Sequence, residues 1–289
     1  MDDRLLILNY SDEYASQLAI KLRAERIDCS IVPGSIALEE LLAMRPLGVV
    51  LAGALAGEVP KDMDGRIAGA GIPILAMGDA ALGMAQLLRA SLGEKDPLHA
   101  VENVRLMPSP LTGEQAQADR FLHTVRPMTL PDELAPLALL EGDVVIGFMH
   151  RTLPIYGFTF QIEQNDPDGL NLLLRFAQDV CGCSAWFTDS AFISRAREEV
   201  AALGDNARAV CAMTGGLNSG VAAVLAHREM GDRLQGIFID TGLLREREAE
   251  DFFYYYQDTL GMHIIRVNAQ DRFTQALAGV TDMEEKTNI

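Results

Sequence analysis

The chain lacks any run of about 18 uninterrupted apolar residues, so no membrane-crossing helix and no membrane partner are expected. It also lacks a basic, then apolar, leader. Met1-Asp2-Asp3-Arg4 opens on acids and runs straight into a strand-like segment, so a cytoplasmic location is the expectation. Positive charge is scarce, with 24 Lys and Arg against 41 Asp and Glu for a net charge of −17. Such a surface repels phosphates, so nucleic acid is not expected as a partner; the charge reads as a means to solubility. Cysteine is rare: Cys29, Cys181, Cys183 and Cys211. In a cytosolic chain these read as reduced thiols. The single spacer in Cys181-Gly-Cys183 is short for a zinc knuckle and no second pair follows, so no metal site is expected there. No low-complexity tract or internal repeat is present. What remains is 289 residues, 49% of them apolar, enough for one large core or two medium ones.

Short β-type runs alternate with helical patterns through the first half. Strands are predicted at 5–8, 30–32, 48–51 and 72–77, and helices at 14–25 and 80–91. This alternation predicts a mostly parallel sheet covered by helices. From 101 to 161 the pattern breaks at prolines and glycines; 144–148 and 156–160 read as strands, expected to be antiparallel, and 168–180 as a helix. After a helix at 190–203, β–α alternation resumes. Strands are expected at 209–213, 235–240 and 263–267, with helices at 220–228 and 246–260. The domain boundary is placed at 183/184.

Thr214-Gly215-Gly216-Leu217-Asn218-Ser219-Gly220 follows a strand and opens a helix. Glycines there let backbone N–H groups approach a phosphate, and a helix N-terminus favours an anion. No Lys precedes the Ser, so this is not the common ATPase loop. Read alone, the loop is equally a strand–helix turn that binds nothing.

The loop resembles the Ser-Gly-Gly-x-Asp-Ser of ATP pyrophosphatases, and the likeness continues through Ala222–Asp232, Phe238–Arg245 and Leu277–Lys286, where it is similar to the GMP synthetase family in particular. The resemblance implies that Thr214 to Gly220, together with Asp240, hold an adenine nucleotide. In the family, the loop grips the pyrophosphate of ATP with Mg²⁺ while a xanthine carbonyl is adenylated. Here Asn218 replaces Asp and Gly220 replaces a second Ser. Loss of a carboxylate removes charge that a hard cation prefers, so ATP and Mg²⁺ are expected as weakened ligands.

The same family carries an N-terminal class I glutamine amidotransferase domain, and Gly71–Leu88 resembles its nucleophile elbow. Gly78 stands where the family has Cys. Glycine cannot form a glutamyl thioester, although it tolerates the strained backbone of such a turn. Asp79 beside it reads as a helix cap. Leu153–Glu163 resembles the segment ending Phe-His-Pro-Glu, with Gln161 at the His position and Glu163 at the third member's. An amide cannot accept and return a proton near neutral pH. Ala52-Gly53-Ala54-Leu55 stands where the family has the oxyanion loop Ser-Gly-Gly-Pro. The remaining histidines, His99, His123, His150, His227 and His263, fall in no motif that reads as a catalytic pair.

The resemblance therefore implies an α/β protein. Residues 1–183 form a class I glutamine amidotransferase-like (flavodoxin-like) domain. Residues 184–289 form part of an ATP pyrophosphatase domain, a parallel sheet of the adenine-nucleotide alpha hydrolase-like kind. The family continues beyond the stretch matched here, so a partner protein covering the second domain is expected. The expected function is a GMP synthetase-like protein of purine biosynthesis without glutaminase activity, acting by binding or regulation. The alternative is one part of a split, ammonia-dependent ligase converting XMP and ATP to GMP, AMP and pyrophosphate.

Overall fold

A computed structural model describes residues 3–114, 117–287 and 289. The chain divides into two compact units, Met1–Thr188 and Asp189–Ile289. The division falls five residues beyond 183/184, and the reason is local. Ser184 hydrogen-bonds Asp3 through its hydroxyl, and the buried Phe187 donates its N–H to the carbonyl of Arg26 at 2.8 Å, tying 184–187 to the first unit.

The first unit begins β1 (Leu5–Asn9), α1 (Asp12–Ala24), β2 (Cys29–Pro33), α2 (Leu38–Ala43), β3 (Gly48–Ala52), β4 (Ile74–Met77) and α3 (Asp79–Leu87). It continues with β5 (Ser91–Leu92), β6 (Asp96–Leu106), β7 (Gln117–Val125), β8 (Met128–Thr129), β9 (Leu134–Leu140), β10 (Val144–His150), β11 (Ile155–Phe158) and α4 (Pro167–Arg175). Nine strands form one sheet in the order β2-β1-β3-β4-β11-β10-β9-β6-β7. The first five run parallel; β10, β9, β6 and β7 extend the sheet by antiparallel pairing.

The central strands are apolar on both faces because both faces are covered. Leu5, Ile7, Val50, Leu75 and Met77 pack on one side with α1 and α4; Leu6, Leu8, Val49, Ile74 and Ala76 pack on the other with α3. Strands β10 and β11 pair antiparallel as expected, and β11 also pairs in parallel with β4, so it joins the two halves of the sheet. The β6–β7 hairpin lies where the sequence pattern shows no strand run, because the buried positions of β7 include Arg120 beside Ala118 and Leu122 while Val101 of β6 is exposed, so no clean apolar alternation marks it.

The second unit comprises α5 (Asp189–Ala201), β12 (Ala209–Met213), α6 (Leu217–Met230), β13 (Leu234–Asp240), α7 (Glu248–Phe253), β14 (Ile264–Asn268), α8 (Gln270–Leu277) and α9 (Met283–Thr287). Its three strands are parallel in the order β12-β13-β14. One face buries Met213, Ala223, Phe238 and Phe252. The other leaves Val210 67% and Ile265 51% exposed, with Ile239 and Val267 beside them in register. A parallel sheet is ordinarily covered on both faces, and among the described residues this face is covered only in part, with Phe273 and Ala276 of α8 beside Ile239 and Val267.

Candidate functional site

The elbow sits where β4 meets α3. Gly78 caps the helix with φ 60° and ψ −137°, a conformation that costs a side chain strain and glycine little. Its N–H donates to the carbonyl of Phe158 at 2.8 Å, which seats the end of β11 beside the turn. The N–H of Ile162 in turn donates to the buried Tyr14 hydroxyl at 2.9 Å, fixing the segment that presents Gln161.

The space that a nucleophile would occupy is filled. A Cβ built on Gly78 would lie 2.7 Å from the carbonyl oxygen of Gly53 and nearer still to that of Ala54. Gln161 donates its Nε2 to the Gly53 carbonyl at 2.7 Å. The Asp79 N–H donates to the Ala54 carbonyl at 2.8 Å. In an elbow-type hydrolase the N–H after the nucleophile serves the oxyanion; here a backbone carbonyl already consumes it.

Asp79 corrects an expectation. Its carboxylate is 5% exposed and caps no helix. Instead Oδ2 accepts the N–H of Ala56 at 2.9 Å and Oδ1 that of Gly57 at 2.8 Å. Burial raises its pKa above the ordinary carboxylate value, and the loop N–H groups pull the other way. Three further side chains hold the same loop. The Thr124 hydroxyl donates to the Leu55 carbonyl at 3.3 Å, Arg126 Nη1 to that of Gly57 at 3.2 Å, and Lys95 lies 3.7 Å from Glu58. These partners were invisible in the sequence because they stand 22 to 69 positions away with no motif between them.

Glu163 is exposed. Among the described residues of the first unit, no thiol substitutes at the elbow. Cys29 opens β2, and Cys181 packs against Gly48 at the start of β3, a strand's length of roughly 15 Å from the carboxyl end where the elbow lies. Burial pushes the Cys181 thiol up, and burial together with nearby acids pushes Cys183 up to about 12, so neither is a ready nucleophile. His99 packs edge-on against His123 on the β6–β7 hairpin, and the His150 ring accepts the N–H groups of Thr152 and Leu153.

In the second unit the loop between β12 and α6 keeps strand–turn–helix form. The hydroxyls of Thr214 and Ser219 lie 3.1 Å apart, Ser219 donates to the Gly216 carbonyl at 3.1 Å, and the Gly216 N–H reaches the Thr214 hydroxyl at 3.4 Å. Gly215 has φ 81°, while Leu217 and Asn218 are exposed at the helix start. Gly216 caps α6 without a side-chain bond. The Tyr256 ring takes the room beside Gly220, its Cζ 3.0 Å from where a Cβ would stand. Asp240 makes its bonds outside the loop residues. It accepts Arg266 Nη2 at 2.6 Å, Gln270 Nε2 at 3.0 Å and the Gly242 N–H at 3.0 Å, and these bonds, Arg266's foremost, hold its carboxyl below the usual range. Asp240 thus stitches β13 to β14 and α8, while the residues from 214 to 220 are brought together.

No profile of a known protein family matches the chain. It is 33% identical over 296 residues to the glutamine-hydrolysing GMP synthase of Caldanaerobacter subterraneus subsp. tengcongensis, covering 99% of this chain and 58% of that one. It is 30% identical over 296 residues to the corresponding enzyme of Lactobacillus delbrueckii subsp. bulgaricus, covering 99% and 57%. Among solved structures, a GMP synthase subunit from Thermoplasma acidophilum superposes with a TM-score of 0.55 at 22% identity, over 62% of this chain and 94% of that one. That likeness concerns the fold, and it is the class I glutamine amidotransferase fold expected for the first part of the chain. The chain is therefore a homologue of the glutamine-hydrolysing GMP synthases along 99% of its own length, and it spans just under three-fifths of theirs.

Proposed function

We propose that this chain is a non-catalytic GMP synthase homologue that acts by binding, as a regulatory or partner-dependent protein in the cytoplasm. One observation carries the reading: the carbonyls of Gly53 and Ala54 stand where a nucleophile's side chain would be, held there by Gln161 and the Asp79 N–H. Among the described residues, that turn offers glutamine no side chain at Gly78, an amide at Gln161 in place of an imidazole, and an Asp79 N–H already bonded to Ala54. Purified protein is expected to release no ammonia from glutamine. Steady release at the rate of an active amidotransferase, lost on removal of any residue at the elbow, would refute the proposal.

A second reading is favoured by a separate feature. The exposed apolar face of β12, β13 and β14 is suited to another polypeptide, and the Thr214–Gly220 loop keeps its turn. In this reading the second unit binds an adenine nucleotide weakly, with poor Mg²⁺ assistance, and a partner chain completes an ammonia-dependent ligase making GMP from XMP. Pyrophosphate formed from ATP and XMP with ammonia, only on adding a candidate partner, would support it; no turnover with any partner removes it.

A further inference from the structure

The first unit holds a cavity of about 820 Å³ that the elbow chemistry does not use. It lies at the carboxyl ends of the parallel strands, between residues 9–12 after β1, 31–35 around the end of β2, and 58–62 beyond the clamped loop; Ala54 and Asp79 also line it. Strand β1 has β2 on one side and β3 on the other, so the chain reverses direction across the sheet here. Open parallel sheets take small ligands in the crevice at that reversal. The wall is preformed, because Asp79, Thr124, Arg126 and Lys95 all hold the segment from 55 to 58.

The lining selects a ligand. Ile31, Val59 and Pro60 offer alkyl contact, while Asp12, Glu58, Asp62 and Asp79 stand against Lys61 in the lining and Lys95 behind Glu58, which leaves the acids in excess. A phosphate or carboxylate would meet four acids there. Asp79 is 5% exposed, and its carboxylate keeps acceptor capacity beyond the N–H groups of Ala56, Gly57 and Glu58, which only a donor can use. We propose that this cavity binds a small aliphatic amine, its methylenes on the Ile31 and Val59 side and its ammonium toward Asp79 and Asp62. The site adjoins the elbow through Ala54 and Asp79, but neither Gly78 nor Gln161 lines it, so amine binding does not rest on the glutaminase reading.

The test is a ¹H–¹⁵N titration of the full chain with putrescine and, separately, succinate, at about 150 mM salt so that loose surface attraction is screened. Saturable shifts confined to residues 9–12, 31–35 and 54–62 are expected with putrescine and none with succinate. Ile31→Trp, at a 39% exposed position on β2, fills the apolar wall and weakens putrescine about tenfold or more. Asp62→Asn, exposed and outside the core, weakens it about threefold. No shifts at about 10 mM putrescine, shifts scattered over the acidic surface and indifferent to both variants, or succinate binding in its place would each overturn the proposal.

Discussion

On the reading proposed above, the two units differ from their relatives in opposite ways. At the elbow of the first, the catalytic space is closed: carbonyls occupy it, and the donor that would serve an oxyanion is spent on Ala54. At the Thr214–Gly220 loop of the second, the turn persists, and the proposed reading has only groups subtracted, a carboxylate at Asn218 and a hydroxymethyl at Gly220. A filled site needs its backbone moved before any side chain helps. A subtracted site needs only its side chains back. The two acids that follow parallel strands repeat the contrast. Asp79 is desolvated and its pKa rises; Asp240 is paired with Arg266 and its pKa falls.

The largest effect expected breaks the first half of this comparison. Gly78→Cys, alone or with Gln161→His, will not restore glutaminase activity. It will instead destabilise the protein by about 3 kcal/mol, from a side chain at positive φ pressed against fixed carbonyls. Urea unfolding and an ammonia assay read the two consequences. A double variant with wild-type stability and measurable turnover would mean that the loop yields easily and the site is merely subtracted. Next in size is Asp79→Ala, which strands the N–H groups of Ala56 and Gly57 and should cost about 2 kcal/mol. Faster hydrogen exchange at Ala56 and Gly57 would locate the loss.

The pH dependence sharpens the contrast further. Asp79's folded pKa is raised, so its contribution is fully present below the ordinary 3.8 and is lost as pH rises through the higher folded value. Asp240's is lowered, so its contribution is present above 3.8 and is lost as pH falls through the lower folded value. Asp79→Asn should therefore flatten the stability profile above pH 3.8, and Asp240→Asn below it. Unfolding curves collected across pH 2.5 to 6, a range of roughly the carboxylate titration, check both. Identical profiles for the two variants would dissolve the distinction.

Strands β1, β3 and β4 were legible because burial on both faces leaves little but aliphatic residues, and the elbow was legible because its glycine sits between such a strand and a helix. The turn from 214 to 220 was legible for the same reason, although α6 starts at Leu217, three residues before the expected start at 220. Leu217, Asn218 and Ser219 are half or fully exposed and give no periodicity to read. The clamp on the loop from 53 to 58 could not be read. Its bonds join backbone atoms of ordinary residues to Gln161, 108 positions away, and to Thr124 and Arg126, each 69 away from its partner. Periodicity reports burial and spacing along one element; it carries nothing about which carbonyl a distant amide will reach.

The smallest predicted effect tests whether the second site is subtracted in the sense argued. Asn218→Asp puts the carboxylate back at an exposed position and should change stability little, while making ATP binding Mg²⁺-dependent by about tenfold in calorimetry. Gly220→Ser is less simple, because Tyr256 has taken the room beside Gly220. Its hydroxyl end is the tip of a side chain that packs on Phe252 at 4.7 Å, so it can swing aside more cheaply than a backbone carbonyl. A loss of about 1 kcal/mol is expected for Gly220→Ser, relieved when Tyr256→Phe is added. A loss as large as that of Gly78→Cys, unrelieved by the second change, would show that this loop too has been filled.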